Sequence, residues 1–187
     1  MSTTKIGYIV GSISSASINR QLADAVTKLA PADVELTEVP ISQLPFYTPD
    51  SEADFPQVAS DFKNQISQND GLIIYTPEYN NSIPGVLKNA IDWASRPWGQ
   101  HSFAKLPVAV LGTSISPRGA QNAQERLKDI VAFGEGNVLA DPSLYLQFTE
   151  GLIDAEGNFT NEEVKAQVQQ WLEATVAHVR ENQGVTA

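Results

Sequence analysis

Apolar runs rich in β-branched residues recur along the chain at Ile6 to Val10, Val34 to Val39, Leu72 to Tyr75 and Val108 to Leu111, with a weaker one at Val138 to Ala140. Each is too short for a helix, and each is bounded by turn-forming residues, so the pattern predicts five strands. The first, third and fourth runs are continuously apolar. That suits strands buried on both faces of a parallel sheet. Between them the period changes to that of a helix. The stripes are Ile18, Leu22, Val26, Leu29; Phe55, Val58, Phe62, Ile66; Val86, Leu87, Ala90, Ile91, Ala94; and Ala120, Ala123, Leu127, Ile130, Val131. A last helix is expected to open at Thr160, with Glu163 three residues on as a capping box, and to bury Val164, Val168, Trp171, Leu172, Thr175 and Val179.

Alternating strands and helices with right-handed crossovers give an α/β fold, a doubly wound three-layer sandwich. Five strands suggest a flavodoxin-like parallel sheet of order 2-1-3-4-5. In such sheets ligands bind beyond the carboxyl ends of the strands, where the winding direction switches between strands 1 and 3. The expected site is therefore made by residues 11 to 19 and 76 to 83.

The first of these loops runs Gly11, Ser12, Ile13, Ser14, Ser15, Ala16, Ser17, Ile18, Asn19 and leads into a helix. Glycine permits a sharp exit from the strand, the hydroxyls offer donors, and the helix end offers free N–H groups, which together make a phosphate cradle. A serine-rich turn that only caps the helix is the plainer alternative. Neither a Walker loop nor a dinucleotide glycine fingerprint is present. In the second loop, Pro77 stiffens the exit from the strand, Asn80 and Asn81 tolerate unusual dihedrals, and Pro84 suits a first helical turn. A rigid backbone of this kind can match the fixed donors and acceptors of a flat ring.

The 187 residues fit one domain, with no linker in the sequence, and 42% hydrophobic residues are enough for a core. A net charge of −10 and a pI near 4.5 argue against nucleic acid as a partner. The absence of cysteine excludes disulfides, thiolate catalysis and Cys-ligated metals, and no metal site is expected, so redox chemistry would need a borrowed cofactor. The polar stretch Met1 to Lys5 and the lack of a long apolar run point to the cytoplasm and away from a membrane. Of the two histidines, His178 is expected among surface positions of the last helix and His101 at a surface or interface. Asp92 with Lys88 or Arg96 has the spacing of solvated helix pairs.

Gly-Ser-x-x-x-x-Ser-x-Asn from Gly11, and Pro-Glu-Tyr-Asn-x-Ser-x-Pro-Gly-x-Leu-Lys-Asn-Ala-Ile-Asp-Trp from Pro77 to Trp93, resemble the NADPH-dependent FMN reductase family, which includes flavodoxin-like quinone, azo-dye and chromate reductases. The resemblance continues at Leu44, Pro45, Tyr47, Asp50 and Glu52, and at Asp154, Gly157 and Asn158. It implies bound FMN, with NADPH or NADH as hydride donor and a small-molecule acceptor, a quinone before azo compounds, chromate or free flavin. It implies Ser12, Ser17 and Asn19 as phosphate ligands, Glu78, Tyr79 and Asn80 at the flavin ring, and Ser82 more loosely. Ser14, Ile18, Pro77 and Ser114 complete the expected cofactor-binding set. No residue is assigned a catalytic acid or base role, and homodimers or homotetramers are implied.

Two departures from the family pattern stand out. Ser14 occupies the place where the family usually has an Arg, which implies weaker FMN binding, by about 1.5 to 3 kcal/mol if nothing compensates. After strand 4 the family's Gly-rich stretch is replaced by Thr113 to Ala120, with Pro117 and Arg118, where a solvated Arg118 is the expectation. Two other classes stay open on the residues: a flavodoxin-like one-electron carrier, and an interaction protein that kept the fold without the cofactor.

Overall fold

The computed structural model describes residues 3–182, so Met1 and Ser2 of the polar N-terminal stretch lie outside the described residues. The chain runs β1 (Thr4–Val10), α1 (Ile18–Lys28), β2 (Val34–Glu38), α2 (Gln57–Ser67), β3 (Gly71–Tyr75), α3 (Gly85–Ala94), β4 (Pro107–Ser114), α4 (Gln121–Phe133), β5 (Asn137–Val138), β6 (Tyr145–Gln147) and α5 (Glu162–Glu181). A 3-10 turn, Pro49–Glu52, interrupts the connection from β2 to α2. The sheet order is β2-β1-β3-β4-β5, and all the pairings are parallel, which is the expected flavodoxin-like arrangement.

The continuous apolar runs are buried on both faces, as their composition requires. Ile6, Tyr8, Val10, Ile73 and Tyr75 point to the side of α1 and α5, together with Leu22, Val26, Trp171 and Leu172. Ile9, Leu72, Ile74, Val108 and Val110 point to the other side, with Phe62, Ile66, Leu87, Ile91, Leu127 and Val131 of α2, α3 and α4. Successive strand residues alternate between two cores because the side-chain period is two.

Several expectations need correction. The fifth strand is split: β5 ends at Val138, and after a detour through Pro142 the sixth strand, β6, pairs with the far end of β4 at Gly112 to Ser114. Helix α5 is capped by Asn161, not Thr160: the Asn161 carboxamide oxygen accepts from the Glu163 and Val164 N–H groups at 2.9 and 3.1 Å. The Thr160 hydroxyl donates instead to the Gly151 carbonyl at 2.6 Å. Ala120 stands before α4 in the left-handed region, φ 61°, not inside the helix, and Phe55 precedes α2. His178 is half-buried and its Nε2 lies 2.9 Å from the Asn137 carbonyl. The expected solvated pair of Asp92 forms with Lys88 at 2.6 Å, and Arg96 turns instead to Glu52 at 3.5 Å.

The long motif that ends at Trp93 has a structural reason. Asn89 Nδ2 and Trp93 Nε1 both donate to the Pro45 carbonyl, at 2.9 and 2.7 Å, and Asn89 Oδ1 accepts from the Tyr47 N–H at 2.8 Å. These bonds bind the loop after β2 to α3, and the Tyr47 and Phe55 rings stack edge-on against buried Trp93. The Asp154–Asn158 segment is a tight turn with Gly157 at φ 78°, in which Asp154 accepts from the Asn158 N–H at 2.7 Å. Bonding to Asn158 first of all holds the Asp154 carboxyl below its usual range.

Candidate active site

The ends of β1, β3 and β4 bring three loops to one edge of the sheet. The ladder continues into them, since the Gly11 N–H donates to the Tyr75 carbonyl at 2.7 Å and the Thr76 N–H to the Leu111 carbonyl at 2.9 Å. Gly11 is required by this closeness: a Cβ there would lie 2.8 Å from Leu87 Cδ2 and 2.9 Å from the Tyr75 oxygen. Strand exit and α3 are in direct contact, so the first two loops become neighbours.

In the serine loop three of the four hydroxyls share one pattern. Ser12 Oγ accepts from the Ser14 N–H at 3.4 Å, Ser14 Oγ from the Ala16 N–H at 3.3 Å, and Ser17 Oγ, the N-cap of α1, from the Arg20 N–H at 3.2 Å. Each oxygen is oriented by a backbone donor. Among the described residues none of these hydroxyls donates to a protein acceptor, so three O–H groups are left for an anion. The Ile18 and Asn19 N–H groups, first in α1, are likewise without a protein partner, whereas the Gln21 N–H is taken by the Ser17 carbonyl. Hydroxyl and N–H donors together, at the positive end of a helix, fit a phosphate.

Asn19 departs from its expected use. It is 1% exposed, and its carboxamide is fully engaged with Thr113 of β4, donating to the carbonyl and accepting from the N–H, both at 3.0 Å. Its side chain fastens α1 to the sheet, so only its backbone N–H faces the cradle. Arg20 adds no net charge there. Its two terminal nitrogens bind the Glu38 carboxylate at 2.9 and 2.7 Å, and those bonds hold the guanidinium above its ordinary pKa. The two line a recess of ≈ 220 Å³ beside Ser12, Ser14 and Ser15.

The second loop is a two-residue hairpin. Tyr79 and Ser82 exchange N–H to carbonyl bonds at 3.0 and 3.1 Å, and Asn80 and Asn81 between them have φ of 51° and 58°. Two consecutive left-handed residues are what a type I′ turn needs, and asparagine tolerates them best after glycine. Pro77 is buried, Glu78 half-buried, and Asn80 exposed. The Glu78 carboxylate points away from solvent: Oε2 accepts from the Ala123 N–H of α4 at 3.0 Å, and Oε1 from Asn122 Nδ2 at 3.4 Å. That contact joins residues far apart in sequence and left no local signal in it.

The third loop, after β4, repeats the serine pattern, with Ser114 Oγ accepting from the Ser116 N–H at 3.2 Å. Buried Gln124 holds the loop's end through the Gly119 carbonyl at 3.1 Å, and Arg118 is exposed as expected. Each loop also leaves an apolar side chain in the open: Ile13 at 62%, Tyr79 at 53% and Ile115 at 75% exposure. Exposed apolar groups on three adjoining loops mark a candidate binding surface beside the unspent hydroxyl donors of the serine loop. Ser82 and Ile18 are half-buried at the edges of this region. Among the described residues no cluster of His, Asp and Glu could hold a metal ion, and no helix is long and apolar enough to cross a membrane.

Residues 4–151 match the family model for NADPH-dependent FMN reductase. A 2-hydroxy-1,4-benzoquinone reductase of a Burkholderia species is 45% identical over 177 residues, covering 95% of this chain and 97% of that protein. An NAD(P)H-dependent FMN reductase of Pseudomonas aeruginosa is 35% identical over 181 residues, covering 96% and 97%. Among solved structures, the flavoenzyme NAD(P)H:(acceptor) oxidoreductase of Paracoccus denitrificans superposes with a TM-score of 0.92 at 36% identity, covering 96% of this chain and 98% of that one.

Proposed function

The chain belongs to the NADPH-dependent FMN reductase family, and from that premise we propose that it is an NAD(P)H-dependent oxidoreductase that reduces a quinone through FMN held on the three loops. The observation that carries the reading is the set of O–H groups on Ser12, Ser14, Ser17 and Ser114, each oriented by a backbone N–H and none donating to an acceptor among the described residues. Such a set is complementary to a phosphate and costs little to reorganise on binding.

When bound, FMN supplies the chemistry of taking a hydride from the nicotinamide nucleotide and passing the electrons on. The protein's residues bind and orient. Ser12, Ser14 and Ser17, with the Ile18 and Asn19 N–H groups, hold the phosphate end. The backbone of Pro77 to Asn80, steadied by the Tyr79–Ser82 bonds, would meet the ring's polar edge, and the exposed side chains of Ile13, Tyr79 and Ile115 would pack on its apolar surface. No side chain is required to act as acid or base in the hydride step.

The 45% identical benzoquinone reductase supports a quinone over other acceptors. The exposed Trp98 and Phe133, at 80% and 87%, with Ile91 and Ile130 in the groove of ≈ 690 Å³ between α3 and α4, support this face as the one on which a second copy would pack. A homodimer on this face would become monomeric on Phe133→Glu, as read by sedimentation.

The test of function is anaerobic. Protein reconstituted with FMN is mixed with NADPH or NADH, and the flavin absorbance should bleach, then return on adding a benzoquinone. A bound flavin that neither nucleotide bleaches would overturn the reductase reading and favour a one-electron carrier.

A further inference from the structure

Helix α4 begins without a cap of its own. Ala120, in the left-handed region, has no side chain to accept from the helix's first N–H groups. The acceptor comes from the hairpin after β3, where Glu78 Oε2 receives the Ala123 N–H at 3.0 Å. A carboxylate at this end of a helix is favoured by the helix dipole as well as by the bond. Three further contacts run along the same face of α4. Asn122 Nδ2 reaches Glu78 Oε1 and Asn81 Oδ1 at 3.4 and 3.3 Å, and Arg126 Nε, one turn on, donates to the Asn81 carbonyl at 3.0 Å.

The hairpin needs such support. It carries two non-glycine residues with positive φ, and its own cross-turn bonding is confined to the Tyr79 and Ser82 pair. A short turn of this kind, exposed at Tyr79, Asn80 and Asn81, would otherwise sample other conformations. We propose that Glu78, Asn122 and Arg126 form a clamp by which the first turns of α4 hold the Tyr79–Ser82 hairpin in the shape that meets the flavin ring. Glu78 is then a positioning residue: its carboxylate faces α4, and its effect on the ring passes through the backbone of the turn. Asn122 and Arg126, outside both motifs, belong to the cofactor site by the same route.

This rests on the FMN reading, and the experiment separates the two. The double variant Asn122→Ala/Arg126→Ala, changed at positions that are not in the core, is compared with Glu78→Ala, Glu78→Gln and the parent chain. In the flavin-free protein, amide exchange at Tyr79 and Ser82 should quicken in the double variant and in Glu78→Ala. In Glu78→Gln it should remain slow, because the amide oxygen can still accept from Ala123. Unchanged exchange in the first two variants overturns the clamp whether or not flavin binds. In titrations, riboflavin and FMN affinities should fall together, by about tenfold, with their ratio unchanged, because the clamp acts on the ring end that both ligands share. A loss confined to FMN would place the effect at the phosphate and overturn the proposal. A parent chain that binds neither flavin, with exchange quickened as expected in the variants, would refute the FMN reading and leave the clamp standing.

Discussion

In the serine loop the hydroxyls of Ser12, Ser14 and Ser17 are each oriented by a backbone N–H two or three residues away, whereas the hairpin after β3 is held by side-chain and backbone groups of α4 more than forty positions on. The two loops end neighbouring strands, and on the proposed function they would serve opposite ends of one ligand. The serine loop offers donors that are unspent, and needs only local bonds to aim them. The hairpin offers a backbone shape at positive φ, which its two cross-turn bonds share with contacts from α4. One site thus uses two kinds of preorganisation, chemical at the phosphate and conformational at the ring.

The largest effect is expected where the serine loop ceases to be local. Asn19→Ala leaves the buried N–H and carbonyl of Thr113 without partners and should cost about 3 kcal/mol in urea unfolding, with FMN binding weakened as α1 loosens from β4. A loss under about 1 kcal/mol would mean that Asn19 is not the fastening of the cradle. Next comes the strained turn. Asn81→Val places a β-branched residue at φ 58° and should destabilise by about 1 to 2 kcal/mol, whereas Asn81→Gly should be nearly neutral. Equal denaturation midpoints for the two variants would remove backbone shape from the account of the hairpin.

Ser17→Ala removes the α1 cap and a phosphate donor together. About 1 kcal/mol of stability should go, and FMN affinity should fall while riboflavin affinity stays level, opposite to the pattern for the clamp. Parallel losses for both flavins would erase the distinction between the two loops.

The smallest effect lies away from both. His101 Nδ1 accepts from the Phe103 N–H at 3.2 Å, and burial, followed by the nearby Lys63 charge, holds the imidazole below its ordinary pKa. The folded chain therefore resists a proton that the unfolded chain accepts at about pH 6.5, so stability is full above that value and declines as pH falls through the window beneath it. Thermal unfolding between pH 5 and 7.5 should show this slope, and His101→Gln should flatten it. A slope that survives the change would put the titrating group elsewhere, including near the loops.

The doubly wound α/β class followed from the sequence because continuous apolar strands alternating with helical stripes admit few other solutions, whereas the strand order was only suggested by the strand count and is fixed by the pairings themselves. The glycine exit, the serines and the paired asparagines were legible for the same reason: each acts through its own backbone or near neighbours. Thr160 misled, since Asn161 offers the same chemistry one residue on and tertiary contact takes the threonine hydroxyl to Gly151. The split of the last strand was hidden because so few residues pair on either side of it.

The sequence by itself determined which residues could serve a phosphate and a flat ring, through local geometry and type. Only the tertiary structure decided which side chains are free to do so. Asn19 is engaged by β4 and Glu78 by α4, and a hydrogen-bonding group already satisfied across the fold has little left to offer a ligand. Pairings over such distances depend on how helices pack against the sheet, which no local pattern records.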